Sequence, residues 1–307
     1  MLEIDNLVAY VAERYDPDQR DGRRLLHGRG HTIVGLEQVT VDHFPPYLVV
    51  GLYRDAAHEG QDVVRSLAEA LAEACCGVEG VAVQRRDGRR TVSEVVFGDV
   101  PERMLVSENG LKFWVQPLAN QNVGLFLDMA PLRKRLASSC EGQRVLNLFA
   151  YTCSLSVAAL AGGAERVVSN DMSRPAIAVG EENHQANAQD LRAVRMVPHN
   201  LFKSWWKIRQ LGPYDVVVID PPTNQRGSFV AEKNYGQVLK RLPEFCNPGA
   251  RVFACLNSPF HNVDFLPGLV ARWCPQLSLV ERMKNSPDFP DVDEDRALKV
   301  FEYRFSG

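Results

Sequence analysis

The sequence predicts an α/β protein in which a doubly wound, mostly parallel sheet follows a smaller α/β domain. Short apolar segments of strand length alternate with helical segments through the second half of the chain, as in successive βαβ units. Polar clusters follow three of these apolar segments, at residues 152–156, at Asp171 and at residues 220–223. Ligands of doubly wound sheets bind outside the carboxyl ends of the strands, so the three clusters mark the expected binding edge.

Composition narrows the class of protein. The chain has 307 residues, of which 45% are hydrophobic and 24% charged, values that indicate a soluble globular protein. The N-terminus lacks the pattern of a secretory signal, and no apolar run approaches the roughly 20 residues of a membrane span. Seven cysteines without a C-x-x-C pair indicate reduced thiols, a cytoplasmic protein and no metal site. The net charge of −3 gives no bulk sign of nucleic-acid binding, so RNA contacts would need local basic patches.

We expect three segments along the chain. Residues 1–45 form an N-terminal extension with a short amphipathic helix and a basic loop, residues 46–120 form the small α/β domain, and residues 121–307 form the doubly wound domain. The loop at 20–31 combines arginines, histidines and glycines, which fits either a solvated connector or a loop that folds over phosphate. A turn at 85–90 carries four arginines that could touch a phosphate backbone or merely solubilise the tip.

Each element follows from periodicity and turn chemistry. In the first half, alternation and turn residues predict strands at 36–41 and 47–53, a helix at 61–76, and hairpins at 78–97 and 106–116. In the second half, apolar runs predict strands at 145–149, 167–168, 194–197, 214–220 and 251–256, helices at 155–160, 173–188, 229–245 and 264–273, and a final antiparallel pair at 277–282 and 299–305. The run Tyr214–Asp220 (YDVVVID) reads as a predominantly apolar strand, as expected of a parallel strand buried on both faces.

The stretch from Arg144 to Ser173 is the expected centre of the binding domain. It reads as strand, small-residue turn, helix and second strand, with Asp171 at the end of that strand. Such a turn lets backbone N–H groups approach a ligand, and the carboxylate can accept bonds from both ribose hydroxyls. The glycine fingerprint G-x-G-x-x-G of pyrophosphate binding is absent, which argues against a nicotinamide-dependent oxidoreductase. A ligand with a ribose and no pyrophosphate, such as S-adenosylmethionine (SAM), fits better.

The segment Asp220-Pro221-Pro222 is the expected centre of the chemistry. Two prolines directly after a strand fix a rigid backbone whose carbonyls cannot join a helix. Rigid acceptors at that place can hold a planar amide or amino edge beside a methyl donor, and methyl transfer depends mostly on such positioning. The alternative is a plain stop from strand to loop.

Several motifs together resemble the class I SAM-dependent RNA methyltransferases, above all the bacterial 23S ribosomal RNA enzymes that modify cytosine C5 or guanine N7. The motifs are NLFAYT at 147–152, AGGA at 161–164, DMS at 171–173 and DPPT at 220–223. Segments at 108–117, 124–133 and 286–305 are also similar to that family. The resemblance covers about residues 48–307 and implies a Rossmann-like methyltransferase sheet with SAM as cofactor.

The resemblance also implies roles for individual residues. The implied catalytic residues are Asp220, Pro221, Pro222 and Thr223. The implied cofactor-binding residues are Asn147, Phe149, Ala150, Tyr151, Thr152, Ser154, Asp171, Met172, Asn200 and Asp220. Within this set, backbone at 150–152 would contact the methionine end, Asp171 the ribose, Met172 the adenine ring, and Asn200 the adenine amino group. The implied substrate-binding residues are Asp128, Arg133, Phe229 and Tyr235, although Asp128 fits a helix cap equally well.

The chain departs from the family pattern at three places. Cys153 or Ser154 stands where the family usually has glycine, and Asn224 stands where an aromatic residue often follows the prolines. Base stacking would then come from Phe229 or Tyr235. Cys255 lies one position short of the cysteine of cytosine-modifying relatives, and one position along a strand reverses the face of the sheet. This register favours a buried cysteine over a nucleophile.

The expected function is transfer of the methyl group of SAM to a base of RNA, in 23S ribosomal RNA, with a guanine nitrogen favoured over cytosine C5. The alternatives are a methyltransferase acting on a small molecule or protein, and a non-catalytic RNA-binding protein that retains the fold. No membrane partner is expected, and a homodimer remains open.

Overall fold

A computed structural model describes residues 3–88, 91–119, 122–222, 224–225 and 229–307 of the chain. The chain forms two compact units. The first comprises residues 1–128 and 286–292, and the second comprises residues 129–285 and 293–307. Of the helices in the described ranges, none is long and apolar enough to cross a membrane.

The first unit is built on a five-stranded sheet with the strand order β1-β2-β3-β4-β5. Its strands are β1 (Arg23–His27), β2 (Val39–Phe44), β3 (Tyr47–Tyr53), β4 (Gly80–Arg86) and β5 (Thr91–Gly98). Neighbours are antiparallel except β3 and β4, which are parallel and are joined through helix α2 (Gln61–Ala74). Helix α1 (Ile4–Arg14) precedes the sheet, and β6 (Met104–Glu108) pairs with β7 (Leu111–Val115) in a separate hairpin.

The core of the first unit follows from helical periodicity. Helix α2 buries Val64, Leu67 and Leu71, which share one face at the spacing of an amphipathic helix. Helix α1 buries Leu7 and Val11 in the same cluster. The predicted hairpins are confirmed by the pairing of β4 with β5 and of β6 with β7.

The loop expected at 20–31 contains a strand, so that expectation is wrong for residues 23–27. Leu25 and Leu26 are buried, and the flanking arginines are neutralised within the same unit. Arg24 makes two bonds to the Asp42 carboxylate, at 2.7 and 2.9 Å, and Arg23 bonds Asp288 at 2.6 Å. Because their charges are paired, the arginines can lie in a strand. A search for alternating apolar residues does not detect such a strand. The neighbouring strand also lies later than predicted, at Val39–Phe44.

The second unit is a seven-stranded sheet with the order β10-β9-β8-β11-β14-β16-β15. Its strands are β8 (Arg144–Leu148), β9 (Arg166–Asn170), β10 (Val194–Val197), β11 (Tyr214–Ile219), β14 (Cys246–Leu256), β15 (Leu277–Arg282) and β16 (Lys299–Phe305), with a short pair formed by β12 (Asn224–Gln225) and β13 (Phe229–Val230). The first five strands of the sheet are parallel, and β16 is antiparallel to both of its neighbours. The doubly wound sheet and its final antiparallel pair are therefore confirmed.

The helices of the second unit are α3 (Ala130–Ala137), α4 (Ser154–Ala161), α5 (Arg174–Ala186), α6 (Trp205–Leu211), α7 (Ala231–Leu239) and α8 (Phe265–Trp273). Helix α3 precedes β8, and the helices after it connect successive strands of this second sheet. The Ser173 hydroxyl accepts the Ala176 N–H at 3.3 Å and caps α5, so the helix predicted to start at residue 173 is confirmed. The helix predicted at 229–245 is shorter, because Pro243 has no N–H to continue it and a 3₁₀ turn, Leu242–Glu244, follows instead.

Strand order locates the binding edge. The sheet order changes direction between β8 and its neighbour β11, since β9 and β10 lie on one side and β14 lies on the other. Such a switch point leaves a crevice at the carboxyl ends of the two strands. The turn after β8 and the Asp220 segment after β11 both start from this edge.

Candidate active site

The turn after β8 has an unusual backbone. Phe149, Tyr151 and Cys153 adopt φ values of 61°, 48° and 60°, in the left-handed region that residues other than glycine seldom occupy. Each such residue costs of order 1–3 kcal/mol, so the surrounding structure must impose the conformation. Left-handed residues that alternate along a turn gather N–H groups into a concavity suited to anionic or polar ligand groups.

Hydrogen bonds to the neighbouring strand and helix hold this turn. The Ala150 N–H donates to the Asn170 carbonyl at 2.9 Å, and the Tyr151 N–H donates to Oδ2 of Asp171 at 2.9 Å. From helix α5, the fully buried Asn183 amide donates to the Thr152 carbonyl at 2.8 Å. Neighbouring strand and helix thus fix the backbone at 150–152, where the methionine end of the cofactor is expected.

Cys153 fits the turn because α5 carries a glycine opposite it. A Cβ added at Gly180 would lie 2.4 Å from the Cys153 sulfur and 2.9 Å from its Cβ. The thiol is fully buried, and burial raises the pKa of Cys153 to about 12. The left-handed φ of Cys153 would suit glycine, and Gly180 leaves the space that the cysteine side chain fills.

Asp171 lies at the end of β9 with both carboxylate oxygens oriented by backbone. Oδ2 accepts the Tyr151 N–H, and Oδ1 accepts the Ser173 N–H at 2.8 Å. A carboxylate offers about four acceptor directions, so each oxygen can accept one more bond. A ribose diol needs two such acceptors, so the site fits the sugar of SAM. The next side chain, Met172, is 50% exposed and available to an adenine ring.

Asn200 lies in a segment that is tied to the end of β9. The Asn170 amide donates to the carbonyls of Val197 and His199, both at 2.9 Å, and so joins β9 to the loop after β10. The Asn200 side-chain oxygen accepts the Phe202 N–H at 3.0 Å and caps a short 3₁₀ turn. An amide oxygen has a second lone pair, which leaves it able to accept from an adenine amino group.

Helix α4 contacts or contains three of the predicted site residues, Asn147, Ser154 and Arg133. Asn147 is buried and donates to the Ser156 hydroxyl at 2.9 Å, which places its side chain under α4 and away from the turn's concavity. Ser154 is the first residue of α4, and the Arg133 guanidinium lies 3.4 Å from its hydroxyl. Arg133 is only 2% exposed, so the structure gives it a place beside the cofactor turn and not on an RNA-facing surface.

Asp220 follows β11 directly. Its N–H donates to the Leu148 carbonyl at 3.4 Å, which brings the segment beside the end of β8. Pro221 is buried and Pro222 is exposed, whereas Thr223 lies outside the described residues. The structure thus brings the proline segment to the same edge as the cofactor turn.

Phe229 and Tyr235, the rings expected to stack on the base, are core residues. Phe229 is 1% exposed and packs against Phe149 at 5.1 Å between ring centroids. The fully buried Tyr235 hydroxyl lies 3.2 Å from the Ile219 carbonyl and 3.1 Å from that of Cys255, and burial raises its pKa far above the ordinary value. A ring without exposed surface has no face to offer a base, so this expectation has no support from their location.

Asp128 lies one residue before the N-cap position of α3. The residue before that helix is Met129, which makes no side-chain cap bond, while Asp128 lies in a 3₁₀ turn of the first unit. Its role in substrate binding stays a prediction.

Several residues that build the site were not predicted. Asn183 and Gly180 hold and accommodate the turn, and Asn170 joins two strand ends. Asn183 could have been found from the sequence, because it is a polar residue on the face of the predicted helix that is otherwise buried. No group of three or more potential metal ligands occurs in the described part of the chain.

Comparison with known proteins decides the family. A family model for S-adenosylmethionine-dependent methyltransferases matches residues 23–304. The chain belongs to this family. It is a SAM-dependent methyltransferase, which confirms the predicted enzyme class and cofactor.

Relatives of this methyltransferase include proteins named ribosomal RNA large subunit methyltransferase I. The one from Enterobacter sp. (strain 638) is 29% identical over 286 residues, which cover 90% of this chain and 72% of the relative. The one from Aeromonas hydrophila is 32% identical over 220 residues, which cover 68% of this chain and 55% of the relative.

Solved structures confirm the fold of this methyltransferase. A structure from Streptococcus mutans, described as a SAM-dependent methyltransferase, superimposes with a TM-score of 0.86 at 23% identity and covers 99% of this chain and 82% of its own. A SAM-dependent methyltransferase from Agrobacterium tumefaciens gives a TM-score of 0.65 at 19% identity, with 88% of each chain covered. The Rossmann-like methyltransferase fold is therefore confirmed.

Proposed function

We propose that this methyltransferase acts on a base of 23S ribosomal RNA, at a nitrogen of guanine. The observation that carries the proposal is the similarity, across 90% of the chain, to relatives named for methylation of large-subunit ribosomal RNA. The motifs at 147–152 and 220–223, which resemble RNA methyltransferases, support the same substrate class.

The cofactor side is assigned to the carboxyl ends of β8, β9 and β10. Asp171 accepts the two ribose hydroxyls with the acceptor directions that its backbone bonds leave open. Met172 packs on the adenine ring, Asn200 accepts from the adenine amino group, and the backbone at 150–152 binds the methionine end. When bound, SAM supplies an electrophilic methyl group on a sulfonium.

The acceptor side is assigned to the Asp220-Pro221-Pro222 segment. The Asp220 carboxylate and the rigid carbonyls accept N–H bonds from the edge of guanine and orient a ring or exocyclic nitrogen toward the methyl donor. The N7 nitrogen of guanine has an in-plane lone pair for in-line attack and loses no proton, whereas at the exocyclic nitrogen the Asp220 carboxylate would take the proton that the amine releases. At either nitrogen the protein needs to position the base and needs no covalent nucleophile. Exclusion of water and fixed geometry are then the main contributions of the segment.

The position of Cys255 favours guanine over cytosine C5. Methylation at C5 requires a thiolate that adds to C6, and such a thiol must be accessible and activated. Cys255 is fully buried on β14, where it pairs with Val300 of β16, and it lies beside the buried Tyr235 hydroxyl. These surroundings suit a structural cysteine.

Contacts to the RNA backbone are proposed for exposed arginines of the first unit. Arg23 and Arg24 are paired with carboxylates, whereas Arg29 is exposed and its guanidinium lies 4.6 Å from the centre of the Tyr53 ring. Arg85 is bound by Glu94 at 3.1 Å, and Arg89 and Arg90 lie outside the described residues. Of the arginines named here that the structure describes, Arg29 is the strongest candidate for a phosphate contact.

The proposal is tested by transfer of label from methyl-tritiated SAM to deproteinised ribosomal RNA. Asp220→Ala should abolish transfer while S-adenosylhomocysteine affinity stays within about tenfold, because the carboxylate positions the acceptor. Equal loss of cofactor affinity would instead assign Asp220 to the cofactor. Label found in protein or small molecules, and not in RNA, would contradict the proposed substrate.

The base is tested separately through Cys255. Cys255→Ser should retain most of the activity, with any loss following the loss of thermal stability, because the thiol takes no part in the reaction. RNA that contains 5-fluorocytosine supplies the opposing test. A trapped protein–RNA adduct that disappears in the serine variant would move the enzyme to cytosine C5.

A further inference from the structure

The segment 257–264, which follows β14, reaches the same edge as the Asp220 segment. Strands β11 and β14 are parallel neighbours, with Ile219 opposite Ala254. Their carboxyl ends therefore lie side by side, and the chain leaves each of them toward the acceptor side of the crevice. This segment was not assigned a role by the motifs of the sequence.

Phe260 is the exposed aromatic residue of this segment. Its side chain is 88% exposed, whereas Leu256 and Ser258, at the end of β14 and just after it, are at most 1% exposed. Its phenyl ring therefore takes no part in the core, and its apolar surface is available to a ligand. Exposed aromatics beside an active-site edge are typical of surfaces that stack on unpaired bases.

Hydrogen bonds fix the backbone on both sides of Phe260. The Ser258 hydroxyl accepts the Phe260 N–H at 3.2 Å and lies 2.7 Å from Nδ1 of His261. The other ring nitrogen of His261 lies 2.7 Å from the Glu232 carboxylate on α7. The His261 ring also packs on Phe265, at 4.2 Å between centroids.

Two further contacts join the segment to the turn before β16. The buried Lys299 ammonium donates to the Ser258 carbonyl at 3.0 Å and to the Ala297 carbonyl at 2.9 Å. The Val263 N–H donates to the Asp295 carboxylate at 2.7 Å. Phe260 is thus an exposed phenyl ring on a segment that is anchored to α7 and β16, which is how a preorganised contact residue is held.

We propose that Phe260 is the stacking platform for the acceptor base, a role that rests on the proposed RNA substrate. The base, unstacked from the RNA, lies against the phenyl ring while its polar edge bonds the Asp220 segment. Stacking does not discriminate between bases, because each base has a π-face. Phe260 therefore contributes affinity and orientation, whereas the hydrogen bonds of the Asp220 segment select which base is bound. This assignment replaces the buried rings of Phe229 and Tyr235 as the aromatic contact.

The test compares Phe260→Ala, Phe260→Tyr and a matched control, Leu279→Ala, which removes another exposed apolar side chain of the second unit. Loss of one stacked base should raise KM for deproteinised ribosomal RNA about 10- to 100-fold in Phe260→Ala. Affinity for S-adenosylhomocysteine, measured by calorimetry, should stay unchanged. Phe260→Tyr should restore KM, and Leu279→Ala should behave as wild type.

The outcomes separate this inference from the proposed function. Wild-type enzyme that methylates ribosomal RNA, together with an unchanged KM in Phe260→Ala, overturns the stacking role alone. A Phe260→Tyr variant as impaired as Phe260→Ala also overturns it, because tyrosine keeps the ring face. Wild-type enzyme that binds S-adenosylhomocysteine but methylates no RNA refutes the proposed substrate, and the stacking role with it.

Discussion

Replacing Gly180 by alanine tests how the cofactor turn is built. The new methyl group would lie 2.4 Å from the Cys153 sulfur and 3.4 Å from the Thr152 carbonyl carbon. Neither Cys153, which is fully buried, nor the turn, which Asn183 holds at 2.8 Å, has room to withdraw. The contact must therefore distort the backbone that is expected to bind the methionine end of SAM.

The magnitude follows from two opposing effects. Overpacking a well-packed site costs about 1–3 kcal/mol. Replacing a glycine within a helix by alanine returns up to about 1 kcal/mol through helix propensity. We therefore expect Gly180→Ala to reduce the free energy of unfolding by about 1–2 kcal/mol and to weaken S-adenosylhomocysteine binding.

A double-mutant cycle with Cys153→Gly isolates the contact. Glycine at 153 removes the clashing sulfur and also suits the φ of 60°. In that background, Gly180→Ala should be neutral or stabilising by up to about 1 kcal/mol. Chemical denaturation and calorimetry with S-adenosylhomocysteine measure both effects. A Gly180→Ala protein as stable as wild type, or equal destabilisation in both backgrounds, would refute the account of the Cys153–Gly180 pair.

Two further predictions concern charge. Asp171→Ala should weaken S-adenosylhomocysteine binding by about one to three orders of magnitude, because two charge-assisted bonds to the ribose are lost. The affinity of Asp171→Asn should lie between those of wild type and Asp171→Ala. An unchanged affinity by calorimetry would show that Asp171 does not bind the cofactor. His43 is 1% exposed, and burial, followed by Arg23, lowers its pKa to about 4. Between the ordinary pKa of about 6.5 and this value the unfolded chain binds a proton at His43 that the folded chain does not, so this residue alone should lower stability by about 2 kcal/mol from pH 7 to pH 5. Burial and two arginines also lower the pKa of His27 to about 3, so His43→Phe should reduce the slope of stability against pH in denaturation curves without abolishing it, and an unchanged slope would contradict the role of His43.

The sheet of the second unit was predictable because its strands carry their own signals. Val216–Ile219 of β11 is apolar and fully buried, and the strand lies between two parallel neighbours, as this composition predicts. The Ser173 cap and Pro175 likewise mark the start of α5 in the sequence itself. In the first unit, Asn109 and Gly110 have φ values of 51° and 79° at the predicted hairpin turn. Such local chemistry is visible without knowledge of neighbours.

Other features depend on partners that are distant in sequence. Strand β1 is stabilised by ion pairs of Arg23 with Asp288 and of Arg24 with Asp42, so no local pattern reveals it. Cys153 can replace glycine only because Gly180 leaves space. The sequence alone does not show which aromatic rings are buried. Phe229 and Tyr235, which were predicted to stack on the base, lie in the core.

The central claim is that this methyltransferase modifies a guanine nitrogen in 23S ribosomal RNA. The most direct measurement is mass-spectrometric mapping of modified nucleosides in ribosomal RNA from a deletion strain and its parent. We predict that one N-methylguanosine disappears from 23S RNA on deletion and returns with the wild-type gene but not with Asp220→Ala. Loss of 5-methylcytidine instead, or an unchanged set of modifications, would contradict the account.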